Sequence, residues 1–285
     1  MSMVQDSIMD AATVDTPLTV LIMGAAPDTG NLGVSALGVS AAKGVRMALP
    51  QARIIIHTMR GTQEVTCDTA AGPIDAEGMT LFVWPRLRAR GGTRQTAAIV
   101  DCARRLPRWI RPALLGLSRT ARQICEADVI LDVSAGDSFA DIYGQETMRI
   151  QSALKRFMLD RGKPLVLAPQ TYGPFYHETS KREAGELVQA SVLAATREVQ
   201  GIAEAQRIFG ADVASKLVQR PDMAFLLDPV PVPADDEPFS LSRREGVLIG
   251  LNISGLFYLG RDPVKLAVPY PQLIDRLAEW ALSVP

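Results

Sequence analysis

Several stretches of the 285-residue chain set reactive side chains beside glycines, each at the end of an apolar run. Val129-Ile-Leu-Asp-Val133 turns abruptly into Ser134-Ala-Gly136-Asp137-Ser138-Phe-Ala-Asp141. There Gly136 admits close backbone approach, Ser134 and Ser138 offer hydroxyls, and Asp137 and Asp141 offer charge. A short apolar run bounded by turn residues suits a central parallel strand, and ligands of open α/β sheets collect at the carboxyl ends of such strands. The same residues equally suit a tight turn that caps the next helix. Leu18 to Met23 likewise runs into Gly24-Ala-Ala-Pro-Asp-Thr-Gly30-Asn31-Leu32-Gly33 before a helical spacing over 35–49. A loop of this kind can aim backbone N–H groups at an anion, although glycine also serves such turns for geometry alone. It is neither the dinucleotide fingerprint G-x-G-x-x-G nor a P-loop, which needs Lys-Ser/Thr.

These loops need a scaffold of strands and helices to hold them. Ala52 to His57 and Thr80 to Trp84 read as strands separated by a polar loop containing Gly72-Pro73. Helices are expected over 121–127, 146–161 and 180–190. The strand Pro164 to Pro169 closes on Gln170-Thr-Tyr-Gly173-Pro174, and a strand from Val192 to Thr196 precedes Arg197-Glu198, which opens a helix to Gly210. Strands alternating with helices predict an α/β fold, a parallel sheet with helices on both faces. Right-handed crossovers then bring the strand-end loops to one edge, joining Asn31, Gly136, Gln170 and Arg197 into one cleft. His57, at a strand end, fits a structural role more simply than a catalytic one.

Composition narrows the function classes. With 47% apolar residues and a net charge of −1, the chain can bury a sizeable core and gives no global reason to expect nucleic acid. No apolar run reaches membrane-spanning length. Residues 1–17 are polar and acidic, unlike a signal or transit peptide, and predict a disordered, cytoplasmic N-terminus. Cys67, Cys102 and Cys125 are odd in number and widely spaced, which argues against a disulfide framework or a zinc knuckle. Two histidines are too few for a multi-histidine metal site, so no metal and no cofactor are expected.

From Arg86 to Arg122 ten arginines face a single acid, Asp101, with Trp109, Ile110, Leu114, Leu115 and Leu117 interleaved. Such a stretch is either a solvated helical face or a surface for an anionic membrane or acceptor, which would place the protein at the inner face of the membrane. Pro229-Val-Pro-Val-Pro233 and the acidic residues after it mark a linker. The expected division is a first domain over 18–228, a linker over 229–245, and over 246–285 a strand (246–252), loop and helix that begin a second unit. Forty residues are too few for an independent α/β domain, so the second unit is expected to be cut short.

Taken in order, the loops resemble the polysaccharide pyruvyl transferase family. The matching pieces are Gly30-Asn31-Leu32-Gly33, Ala127-Asp128 before Ser134-Ala-Gly136-Asp137-Ser-Phe-Ala-Asp141, Gln170-Thr-Tyr-Gly173-Pro174-Phe175, Arg197-Glu198 followed by Phe209-Gly210, Pro221-Asp222-Met-Ala-Phe225, and Asn252-Ile-Ser254. They span roughly residues 18 to 260. Three departures stand out. Val34 follows Gly33 where the family commonly has Gly-Asp, the usual triple-glycine turn reads Ser134-Ala135-Gly136, and nothing after Asn252 matches the Arg-Leu-His segment that the family's second domain carries.

The resemblance implies a glycosyltransferase-B-like pair of Rossmann-like domains that moves a pyruvyl group from phosphoenolpyruvate onto two hydroxyls of a sugar or lipid-linked saccharide acceptor. Ketal formation needs a general acid, a base for the hydroxyl, and cationic or backbone donors for the carboxylate and phosphate. On this resemblance Arg197 is the charge best placed for an anion, with Glu198 and Asp137 as bases. Asn31, Gly33, Ser134, Gly136, Gln170, Gly173, Asp222, Asn252 and Ser254 become substrate-binding candidates. Arg197-Glu198 as a charge pair at a helix start and Asp137 as a cap remain the plainer alternatives. A nucleotide-sugar glycosyltransferase of the same architecture, or a non-catalytic acceptor-binding fragment, are the competing functions.

Overall fold

The computed structural model of the chain describes residues 17–61, 64–80, 99–103, 105–107, 109–136, 139–229, 249–258 and 266–283. At its centre lies β1 (Thr19–Met23), all five residues of which are buried. Side chains alternate across a strand, so Val20 and Ile22 enter one hydrophobic cluster while Leu21 and Met23 enter another. A strand that must bury both faces has to be apolar at every position. The run Val-Leu-Ile-Met meets that demand.

β1 pairs in parallel with β2 (Arg53–His57) and with β5 (Val129–Asp132), setting Leu21 opposite both Ile55 and Ile130. Beyond β2 lies β4 (Ile74–Met79), and antiparallel β3 (Glu64–Cys67) forms that edge. On the other side β5 is followed by β6 (Leu165–Gln170), β7 (Leu193–Thr196) and β8 (Leu217–Gln219), all parallel. The sheet order is thus β3-β4-β2-β1-β5-β6-β7-β8. The direction of winding reverses between β1 and β5, and in doubly wound sheets that switch point opens a crevice at the carboxyl ends of the strands.

One face is covered by α1 (Leu32–Ala48), whose Leu37, Ala41, Ala42 and Val45 pack on Val20, Ile22, Ile54 and Ile56. After the short α2 (Arg111–Leu115), the other face is covered by α3 (Arg119–Glu126), α4 (Gln145–Leu159), α5 (Glu178–Ala190), α6 (Gly201–Phe209) and α7 (Ala211–Ala214). Ile124, Met158 and Leu187 there join Leu21, Ile130 and Leu167 in one cluster. A 3₁₀ turn, Met223–Leu226, returns to α1, with Met223 and Ala224 against its cluster. Lys43 of α1 then pairs with Asp228 at 2.5 Å.

The expected α/β architecture is therefore present, with four differences. The strand expected over 80–84 does not include Thr80, and 81–84 lie outside the described residues; the strand in that part of the sheet is β4. Its Asp75 and Glu77 disguised it, because over 74–77, toward the sheet edge, only Ile74 and Ala76 are buried. β3, read as loop, is likewise half-buried, with only Val65 and Cys67 facing inward. Arg197 and Glu198 precede α6 rather than opening it: a Cβ at Gly201 would sit 1.9 Å from Thr196 Oγ1, so the first helical turn lies directly on the strand end. Residues 249–254 form no strand, and the described residues after them hold two helices, α8 (Gly255–Tyr258) and α9 (Tyr270–Ser283), with Phe257 against Tyr270.

Beneath the switch point lies a buried ion pair. Lys155 of α4 reaches Asp132 at the end of β5, Nζ to Oδ2 3.3 Å, with both side chains no more than 3% exposed. The ammonium also lies 5.2 Å from the Phe139 ring centroid. Removing one partner of such a pair strands the other charge away from water. Lys155→Met is expected to lower unfolding free energy by about 3–5 kcal/mol, and Asp132→Asn combined with Lys155→Met by distinctly less, as read from urea denaturation. Equal losses in the two variants would show that the pairing itself does not matter.

Candidate active site

The turn after β5 is held in a conformation that side chains rarely adopt. Ser134, Ala135 and Gly136 all have positive φ, at 45°, 50° and 83°. For residues other than glycine this costs about 1–2 kcal/mol each. Neighbouring contacts enforce it. Val133 donates to Met23 O (2.9 Å), Ala135 to Gly24 O (2.6 Å) and Gly136 to Val133 O (3.0 Å). Ser134 Oγ donates to Asp132 Oδ2 at 2.6 Å, which ties the turn to the buried Lys155 pair. The fit requires glycine at 24, since a Cβ there would stand 2.4 Å from the Ser134 amide nitrogen.

Three further strand ends close on this turn. Thr171, just past β6, donates its amide to Gly136 O at 2.8 Å, and Arg197, just past β7, donates its amide to Gln170 O at 3.3 Å. The Arg197 guanidinium lies against Gly136: a Cβ there would be 2.8 Å from Nη1 and 3.1 Å from Leu37 Cδ1. Nη1 donates to Asp222 Oδ2 (2.7 Å), just past β8, while Nε donates to Glu198 Oε1 and to Thr171 Oγ1, both at 3.1 Å. The Thr171 hydroxyl also donates to Glu198. Burial alone would push the Glu198 carboxyl up, but Thr171, Arg197 and the residue's own amide more than offset it and hold it below the usual range. Burial likewise works against the Arg197 charge, and Asp222 and Glu198 outweigh it. Arg197 and Glu198 thus stay ionised, and the formal charges of one guanidinium and two carboxylates sum to one negative.

The structure thus brings Gly136, Gln170, Arg197, Glu198 and Asp222 together, with Thr171 added. The pair Arg197-Glu198 is real, but Asp222 and Gly136 hold the guanidinium at the sheet edge as firmly as Glu198 does. Gln170 is fully buried; its Nε2 is 3.4 Å from Tyr172 Oη and its Oε1 has no partner. Ser134 is also buried, bonded to Asp132. Asn31 caps α1, its Oδ1 accepting from Gly33 (3.0 Å) and Val34 (3.3 Å), so Asn31 and Gly33 satisfy each other. Gly173 donates to Phe139 O at 2.9 Å and packs beside Phe175 and Ile208. Ser254 donates its amide to Tyr270 Oη (3.0 Å) and Asn252 is exposed, neither joined to the Arg197 cluster. Asp137 and Ser138 lie outside the described residues, as do Arg86, Arg88, Arg90, Arg94, Arg104 and Arg108. In the same stretch Arg111 donates to Leu106 O and Trp109 is exposed. Among the described residues no helix is long and apolar enough to cross a membrane, and no group of side chains could hold a metal ion.

Sequence reasoning missed a partnership between Asp141 and His177. The side chain of Asp141 is fully buried and accepts from the amides of Tyr176 (2.7 Å) and His177 (2.9 Å), with His177 Nδ1 also 2.9 Å away. It therefore fastens the β5 loop to the start of α5, where a carboxylate suits the helix dipole. A sequence shows no link between positions 36 apart. Burial pushes this carboxyl up, yet the Tyr176 and His177 amides, the His177 ring and the Ser180 hydroxyl hold it below the usual aspartate value. A depressed carboxyl contributes stability above its unfolded pKa and loses it as pH falls through the folded one. Asp141→Asn is therefore expected to destabilise by about 1–3 kcal/mol at neutral pH, with the gap to wild type closing below about pH 4. A gap that stays constant to pH 3 in denaturation experiments would contradict this.

The family model for polysaccharide pyruvyl transferases matches residues 52–279, a span that holds every member of the Arg197 cluster. A search among curated proteins gave no match. The family match covers well over half of the chain, and the protein belongs to the polysaccharide pyruvyl transferase family.

Proposed function

We propose that the chain transfers the pyruvyl group of phosphoenolpyruvate onto two hydroxyls of a saccharide, or of a lipid-linked saccharide, as a ketal. The work is cytoplasmic and serves cell-surface or exopolysaccharide synthesis. The observation that carries this reading is the Arg197 guanidinium, held between Gly136, Glu198 and Asp222 at the carboxyl edge beside the switch point, in a chain that the family match covers. We also propose a glycosyltransferase-B-like plan: a first domain over 18–228, a linker over 229–245 and the start of a second domain from 246.

The reaction sets clear demands. The enol carbon of the donor gains a proton and becomes methyl. The adjacent carbon gains bonds to two sugar oxygens and loses its bond to the phosphate oxygen. Of the two hydroxyl protons, one is balanced by the new methyl hydrogen and the other leaves with phosphate. Glu198, ionised and partly exposed, takes a hydroxyl proton as general base. Arg197 opposes the charge that builds on the attacking oxygen; preorganised donors of this kind act strongly where water is excluded. Asp137 is the second base in this proposal. Asn31, Gly136 and Gln170 frame the site by fixing the three loops.

Arg197→Ala is expected to lower kcat/KM for phosphate release from phosphoenolpyruvate by about ten- to a hundredfold, the loss of a charge-assisted contact worth about 1.5–3 kcal/mol. The assay follows phosphate with simple glycosides as acceptors, alongside thermal unfolding. Unchanged kinetics with a large drop in melting temperature would assign Arg197 to holding the loops together and nothing more.

A further inference from the structure

Among the described residues, the Arg197 cluster carries too little positive charge for the donor. Phosphoenolpyruvate brings a carboxylate and a phosphate, whereas the one cation of the cluster among those residues is already paired with Glu198 at 3.1 Å and Asp222 at 2.7 Å. A sugar hydroxyl, by contrast, both donates and accepts. The cluster offers ionised oxygens, a hydroxyl and N–H groups side by side, and its internal bonds engage Nη1 and Nε of Arg197 rather than Nη2. Arg197, Glu198 and Asp222 are each about a quarter to two-fifths exposed, so solvent and ligand can reach them.

A second feature sits on the same carboxylate. Asp222 Oδ2 accepts from Arg197, while its Oδ1 accepts from the Ala224 amide at 2.8 Å and so fixes the 3₁₀ turn. Met223 and Ala224 of that turn pack inward, and Leu226 meets Gly44 of α1. Phe225 alone is left out, 83% exposed. Val199, next to Glu198, is 84% exposed. Phe225 follows Asp222 by three residues on the turn that this carboxylate fixes; an exposed aromatic ring is unfavourable in water but matches a pyranose, whose ring C–H groups carry slight positive charge and pack on the negative face of an aromatic while its hydroxyls turn to charged groups.

We infer that Arg197, Glu198, Asp222 and Thr171, with Phe225 as a stacking ring, form the subsite for the acceptor sugar rather than for the anionic donor. This rests on the pyruvyl-transfer reading for the donor's identity, but sugar binding is open to a test that needs no turnover. Saturation-transfer NMR on the full chain, with methyl glycosides of gluco, galacto and manno configuration as probes, should show transfer to the ring protons of at least one. Phe225→Ala and Asp222→Asn should each weaken that binding roughly tenfold, and excess phosphoenolpyruvate should not displace the glycoside. Phe225→Ala removes an exposed ring, so its melting temperature should stay near wild type, which separates lost binding from lost folding. Displacement by phosphoenolpyruvate, absence of transfer to all three glycosides, or undiminished binding in Phe225→Ala would each overturn the inference. Steady-state kinetics keeps the two ideas apart. A raised KM for phosphoenolpyruvate alone in these variants sinks the subsite and leaves pyruvyl transfer standing. Glycoside binding as described, without any phosphate release by wild type, supports the subsite and sinks pyruvyl transfer.

Discussion

The site depends on a single close approach, that of the β1 loop to the β5 loop where the winding of the sheet reverses. Gly24 leaves just enough room for the Ser134 backbone, and the chain then has to turn through three left-handed residues. Two of these, Ser134 and Ala135, carry a steric penalty that glycine would avoid. Hydrogen bonds to Gly24 and Asp132, with the buried Lys155 behind them, hold them there. Out of that turn comes Gly136, whose missing side chain makes the place where Arg197 lies. The guanidinium then gathers the ends of β6, β7 and β8 through Thr171, Glu198 and Asp222. Local strain, a buried charge pair and a surface network are thus one mechanical unit.

Much of this was legible in the residues. Apolar runs at 20–23 and 129–131 suit central strands, and the parallel arrangement followed from their alternation with helices. That arrangement placed Gly136, Gln170 and Arg197 at one edge before any coordinates. Features that depend on context failed to show. β4 carries Asp75 and Glu77 on an outward face that its place near the sheet edge makes possible, and β3 is too short to show more than two periods of alternation. The helical start at Gly201 was displaced from Arg197 by contact with Thr196, which no local propensity encodes.

The site residues divide along the same line. Positions that act through backbone geometry, such as Gly136, were readable because glycine at a strand end has few purposes. Positions that act through partners were not. Arg197 could be read as a charge, but its pairing with Asp222, 25 residues on, emerged only when β8 was laid beside β7. Asp141 looked like a reactive acid and proves to be a buried clamp on α5. Asn31, read as ligand-binding, spends its side-chain oxygen on capping α1. In each case the side chain's chemistry was right, and its neighbour was the hidden part.

Pyruvyl transfer to a saccharide at this carboxyl-edge cluster can be decided by incubating the full chain with phosphoenolpyruvate labelled with carbon-13 at its central carbon, together with saccharide acceptors. That carbon is followed by NMR and the acceptor by mass spectrometry. Transfer requires a labelled ketal carbon bonded to two sugar oxygens, an acceptor heavier by one pyruvate less one water, and one phosphate released for each product. Intact phosphoenolpyruvate, with an acceptor that instead gains a sugar when a nucleotide sugar is supplied, would contradict it.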